Sequence, residues 1–271
     1  MSAMFDLMLW PFLACVVLVG IHVYFGLHVI KRGIIFVDLS LAQVAALGTT
    51  LAFLLGFDLN GNTAYLFSLG FAILGAVLFA ISRGVEGKVP QEAIIGIVYA
   101  VSSAAAIMAV SHAPEGAEHI KHLLIGSILT VTPAIVIKTA IVYSLVGLLH
   151  WVYFSKFAAL TFNHGAPPKH ALAWEILFYA SFGIIVTSSV KICGVLLVFI
   201  FLVVPSVFAV LTVKGVSGHL AFGWLFGLVG AAVGLIGSFY LDTPPGATIV
   251  CTFGIMLLLF AGIRKLSVRS A

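Results

Sequence analysis

Charge is what this sequence has least of: 8% of its 271 residues are Asp, Glu, Lys or Arg, while 62% are hydrophobic. A water-facing domain carries about 25% charged and roughly 45–50% apolar residues, so an ordinary soluble globule is excluded, and the same balance excludes disorder. Cysteine is almost as scarce. Cys15, Cys193 and Cys251 are odd in number, far apart and each inside an apolar stretch, which leaves neither a disulfide framework nor a Cys-x-x-Cys metal knuckle. A formal net charge of +4 over 271 residues makes no dense basic face, so nucleic acid is not an expected partner. No Gly-x-x-x-x-Gly-Lys-Ser/Thr phosphate loop occurs: Gly87-Lys88 is followed by Val89 and lacks the upstream glycine, so ATP hydrolysis is expected on another chain. A His-Glu-x-x-His pair within a span is missing too. The nearest pattern, Glu118-His119-Ile120-Lys121-His122, has the wrong order and lies in a loop, which argues against a membrane-embedded metalloprotease or lipid-modifying enzyme.

What is present is a series of long apolar runs. A helix crosses the hydrocarbon with about 20 apolar residues, and runs of that length stand at 12–30, 34–57, 64–82, 93–111, 133–154, 172–190, 194–213, 220–240 and 247–263. The first run has no Lys or Arg before it and is longer than the roughly 7–15 residues of a signal-peptide core, so it reads as a retained span. A shorter apolar piece, 123–131, reads as re-entrant or as the lead-in to the fifth span. Lys and Arg collect in alternate loops. Lys31, Arg32, Arg83, Lys88, Lys156, Lys169, Lys214, Arg264, Lys265 and Arg269 make 10 on one side, against Lys121, Lys138 and Lys191, 3 on the other. Positive loops stay cytoplasmic, which puts the N-terminus outside and the C-terminus inside. The longest connection, 155–171, leaves no room for a soluble domain. The expected fold class is an all-α polytopic membrane protein, a single bundle of about nine transmembrane helices acting as one domain over 1–271, multi-pass in the plasma (inner) membrane with lipid around it.

Polar residues inside such runs are expensive, at least about 2.5–3.5 kcal/mol for a carboxylate, and mark function by default. Asp38 stands about one turn inside the second span, with Gln43 nearer mid-membrane, its amide oxygen able to ligate a cation. Two readings stay open: Asp38 and Gln43 line a substrate pathway, or Asp38 caps its helix or pairs with Lys31 or Arg32 while Gln43 bonds a neighbouring helix. On the other side His112, Glu115, Glu118, His119 and His122 follow one another at helical i,i+3 and i,i+4 spacing, where neighbouring side chains can share one ion. Imidazole with carboxylate suits zinc, manganese or iron; the alternative is a solvated loop with weak Glu–Lys and Glu–His pairs. His22, His28 and His150 read as interhelical hydrogen-bond donors whose spacing does not converge on a site. Gly223, Gly227, Gly230, Gly234 and Gly237 form a small-residue stripe that lets backbones approach closely. Pro205 sits inside the seventh run, where it permits a kink or gate. Pro244-Pro245-Gly246 turns the chain on the outer side.

Several stretches resemble the membrane subunit of the ABC importers for zinc, manganese and iron. Residues 237–250, Gly-Ser-Phe-Tyr-Leu-Asp-Thr-Pro-Pro-Gly-Ala-Thr-Ile-Val, are similar to that family's S-Y-x-L-D-x-P-x-G-A-x-I-V outer turn, so Asp242, Pro244 and Gly246 fall on its pattern. Residues 194–209 resemble its G-V-(aliphatic run)-P-A-x-x-A helix, 93–98 its A-I-G-I-V opening, and 122–129 its H-x-L-F-G-N-I-L segment. The resemblance implies a homodimer with the pathway between subunits, a separate ABC ATPase subunit that hydrolyses ATP, a metal-binding solute-binding protein, and alternating access for a transported zinc, manganese or iron ion. Two departures accompany it. The family's second helix reads G-D-x-L-S-H-A-x-x-P-G; here Gln43 stands in the place of His, Leu39 in that of Asp, and Asp38 is displaced by one position. The family's F-D-x-x-x-A-x-x-x-G coupling loop to the ATPase falls on 162–171, whose Phe162, Asn163, His164, Lys169 and His170 keep its place but not its pattern. A secondary transporter with Asp38 as its titrating group is the alternative.

Overall fold

The computed structural model describes residues 2–59, 61–83, 89–111, 126, 128–162 and 168–269, with side chains throughout except at 2–6, 110 and 265–269. Among them the chain is all-helical. The helices are α1 (Ser2–Arg32), α2 (Val37–Leu54), α3 (Asn62–Ser82), α4 (Gln91–Val110), α5 (Pro133–Val152), α6 (Phe154–Phe162), α7 (Ala171–Thr212), α8 (Val216–Leu241) and α9 (Pro245–Arg269), with one 3-10 turn at Ile128–Thr130. Eight are long and apolar enough to cross a membrane. The large apolar side chains they leave uncovered, among them Leu66, Leu74, Met108 and Leu258, are what a lipid solvent asks for.

The eight candidates become nine spans at α7. Its 42 residues would extend about 63 Å as one rod, twice the roughly 30 Å of hydrocarbon. Gly194, at φ 78° and ψ 163°, breaks it, at the boundary expected between the sixth and seventh runs. Pro205 lies in the second part, whose backbone stays helical. The connection expected over 155–171 holds a helix that apolar periodicity did not reveal: α6, nine residues long, follows α5 after Tyr153.

The chain clusters into two compact units. The first holds 1–27, 125–140 and 192–271, and there the glycine stripe of α8 is a contact surface. A Cβ on Gly223 or Gly227 would meet Val23 or Val19 of α1 at 2.5 and 2.6 Å; on Gly230 or Gly234 it would meet Phe253 or Ile249 of α9 at 2.6 and 2.7 Å. At the α8–α9 turn Asp242 takes the left-handed conformation as C-cap, its N–H bonding Ser238 O, and Ser238 Oγ donates to Thr243 O at 2.6 Å. Gly126 has φ +64°, and a Cβ there would lie 2.1 Å from the Cys193 carbonyl carbon, against the break in α7.

The second unit holds 28–124 and 141–191. α2 meets α3 through Gly48, against Phe67 and Phe71, and through Gly75, against Leu41 and Val44. Phe157, Phe178, Trp174, Tyr179, Phe79 and His150 form its aromatic interior.

Gly126→Ala combines a strained φ with a backbone collision, so it is expected to cost about 2–4 kcal/mol, read as a lower unfolding midpoint of the detergent-purified protein. Gly254→Ala, with nothing within 4 Å of its would-be Cβ, is the control; equal midpoints for the two would contradict this account of the break.

Candidate functional site

In the second unit the ends of α1 and α3, the last turn of α6 and the start of α7 meet through charge. Arg32, the last residue of α1, donates from Nη1 to Glu175 Oε2 at 2.6 Å and from Nε to Thr161 Oγ1 at 2.8 Å. Arg83, just past α3, donates from Nη1 to Glu175 Oε1 and from Nη2 to Leu160 O at 2.9 Å. The Thr161 hydroxyl that accepts from Arg32 is also hydrogen-bonded to His28 Nδ1 at 2.7 Å. The Arg32 and Glu175 side chains are 1% and 6% exposed, that of Arg83 26%, so water shields only the last. Two guanidinium groups face one carboxylate, and the surplus positive charge rests on an aromatic face: Arg32 Cζ lies 3.9 Å from the Phe178 ring centroid. Beside this, Gln91 at the start of α4 donates from Nε2 to Phe79 O (2.8 Å) and Tyr179 OH (3.1 Å).

The residues singled out in the sequence fall differently. Asp38 is 1% exposed, and neither of its carboxylate oxygens has a hydrogen-bond partner among the described residues. It does not cap α2, whose N-cap is Phe36 with no side-chain hydrogen bond, and it does not pair with Arg32, which is committed to Glu175. Glu92 of α4 approaches the same end of α2: its Oε1 accepts from Phe36 N at 3.0 Å, while Oε2 has no partner among the described residues. Gln43 is half-buried in α2. Among the described residues no three His, Cys, Asp or Glu side chains form a metal-holding group.

Two of the three histidines bond across helices as expected: His28 Nδ1 to Thr161 Oγ1 at 2.7 Å and His150 Nε2 to Ser181 Oγ at 2.8 Å. His22 donates to Leu18 O of its own helix at 2.7 Å. The rings of His28 and His150 also both neighbour Phe178, with centroids at 5.4 and 6.0 Å. The outer candidates His112, Glu115, Glu118, His119 and His122 lie outside the described residues, as do Asn163 and His164. Phe162 closes α6, Lys169 and His170 are exposed, and His170 O accepts from Ala173 N at 2.9 Å at the start of α7. Of 123–131, Gly126 and 128–131 are described, the latter beginning with the 3-10 turn. Glu175 is the residue that sequence reasoning missed. It stands within the sixth run, and the rule that flagged Asp38 applies to it equally.

Three comparisons bear on this arrangement. The model of the ABC 3 transport family matches residues 4–264. The Listeria innocua manganese transport system membrane protein MntC is 23% identical over 231 residues, covering 83% of this chain and 79% of that protein. A Haemophilus influenzae protein named "Probable iron transport system membrane protein" is 27% identical over 213 residues, 73% of each chain. The structure of PsaBC from Streptococcus pneumoniae in complex with Fab aligns with a TM-score of 0.73 at 20% identity, covering 95% of this chain and 94% of that one, a likeness of fold.

The two buried carboxylates are expected to separate by stability. Glu175→Ala strands two arginines and should lower unfolding stability in detergent by about 3–5 kcal/mol. Asp38→Asn removes a buried carboxylate that has no hydrogen-bond partner among the described residues and should leave stability equal or higher. A large loss for Asp38→Asn would show that its carboxylate is structural.

Proposed function

This chain belongs to the ABC 3 transport family as a membrane permease subunit, and on that premise we propose that its cargo is a divalent transition-metal ion carried by alternating access. Manganese or iron is favoured. The relatives named for transport carry those metals, and Asp38 with the Gln43 amide supplies oxygen donors, which suit manganese better than the thiolate and imidazole sets that select zinc. The observation that carries the reading is Asp38, buried within a span with neither carboxylate oxygen hydrogen-bonded among the described residues. A carboxylate kept at that cost is explained by a cation that it meets in passing. Asp38 and Gln43 then line the pathway, and residues 1–271 act as one permease domain.

The rest of the machine follows from the family's logic. ATP is hydrolysed on a separate ABC ATPase subunit that docks at 162–170, a solute-binding protein delivers the ion to the outer side where His112, Glu115, Glu118, His119 and His122 receive it, and two copies of the chain frame the pathway. Pro205 serves as a flexible point in the seventh span, and the turn at Asp242, Pro244 and Gly246 belongs to the outer mouth. The 10-to-3 imbalance of Lys and Arg between alternate loops favours the N-terminus outside and the C-terminus in the cytoplasm of a plasma (inner) membrane protein.

Asp38→Asn is expected to reduce manganese or iron accumulation in cells by about tenfold or more, the factor that 1.4 kcal/mol gives, with the protein inserted in normal amount. Inactivating the ATPase subunit should abolish accumulation, and a protonophore should leave it. Normal uptake by Asp38→Asn would remove Asp38 from the pathway; uptake lost with the protonophore and kept without the ATPase would favour the proton-driven alternative.

A further inference from the structure

The ionic cluster has a geometry that pairing alone does not require. Each guanidinium places one nitrogen on Glu175 and another on α6: Arg32 through Thr161 Oγ1, Arg83 through the Leu160 carbonyl. Two rings close on the same carboxylate, and both include the last turn of α6. That helix has nine residues, too few to hold its own direction in isolation, so its placement depends on what grips it. The grip lies on both sides of 162–171, with Leu160 and Thr161 before it and Glu175, four residues into α7, after it. An apolar cluster of similar volume would fill such a site without the desolvation cost of three charges. Forked arginine–carboxylate bonds add direction, which apolar contacts lack.

We propose that Glu175 is a positioning residue of the transport cycle: through Arg32 and Arg83 it fixes α6 to the ends of α1 and α3, so that displacement of the 162–170 segment moves these spans instead of only bending the loop. This rests on the reading that 162–170 docks an ATPase subunit. Arg83, the part-exposed member, is the arm nearest water and the one whose bond is exchanged when α6 moves. Arg32, buried against Phe178, stays in place. Glu175 touches no cargo in this scheme; it decides whether ATP hydrolysis is converted into ion movement.

The experiment measures ATP hydrolysed per manganese ion imported, in proteoliposomes holding the permease with its ATPase subunit and solute-binding protein. For Glu175→Gln the expected result is normal assembly and ATP hydrolysis within about twofold of the unsubstituted complex, with uptake down about tenfold or more, so that the ratio rises by a similar factor. Arg83→Lys, which keeps a charge but not the fork, should lie between. Should Glu175→Gln fail to assemble, the triple change Arg32→Met, Arg83→Met and Glu175→Leu, which leaves no stranded charge, decides the matter: it should assemble and remain uncoupled. An unchanged ratio in whichever variant assembles, with hydrolysis and uptake falling together or not at all, overturns the proposal. An unsubstituted complex that imports no metal on ATP overturns the transport reading itself, and this proposal with it.

Discussion

A charge taken out of water must find a partner, and almost everything informative about this chain follows from where that condition is met and where it is not. Arg32 and Arg83 both bond Glu175 at one end of the second unit, with Arg32 against the Phe178 ring. Asp38, a few residues after Arg32 in the chain, is as deeply buried and has no such partner among the described residues. Burial alone does not distinguish the two carboxylates; the presence of a fork does. The first is fixed into the scaffold, and the second is the one we propose meets the cargo.

Membrane thickness is the other constraint. It limits a helix to about 20 residues per crossing, which is why the 42-residue α7 needs Gly194 at its middle, and why the residue facing that break, Gly126, has no room for a side chain. With lipid as apolar as leucine, helices gain little from hiding leucine from it. Contacts are made instead by close approach, and the α8 stripe shows what that needs: valines of α1 on one side, Phe253 and Ile249 of α9 on the other, all within reach of backbone.

The spans, their order and the break between the sixth and seventh runs were legible in the sequence because hydropathy and helix-breaking residues are local properties. The short helix α6 was not, since nine residues at the start of what reads as a connection are too few to carry a helical period of their own. The ion cluster was half legible. Arg32 and Arg83 were read correctly as charges at span ends, but a positive loop residue looks the same in sequence whether it faces water or folds back onto a buried glutamate. Their convergence with Thr161 and Glu175 joins positions up to 143 apart, which spacing cannot supply. The nearness of His28 and His150, both beside Phe178, was not legible for the same reason. Asp38 was legible as an oddity; that Arg32 bonds Glu175 and not Asp38 became visible only in the structure.

The central claim is that the polar side of α2 borders a water-bearing passage. It is tested most directly by placing a single cysteine at position 43 (Gln43→Cys) in a chain with Cys15, Cys193 and Cys251 replaced, and following its reaction with a charged, water-soluble methanethiosulfonate. Reaction that is fast in the assembled transporter and slowed by added manganese is the predicted result. A thiol that reacts only with a lipid-soluble maleimide, at a rate indifferent to the metal, would contradict the account.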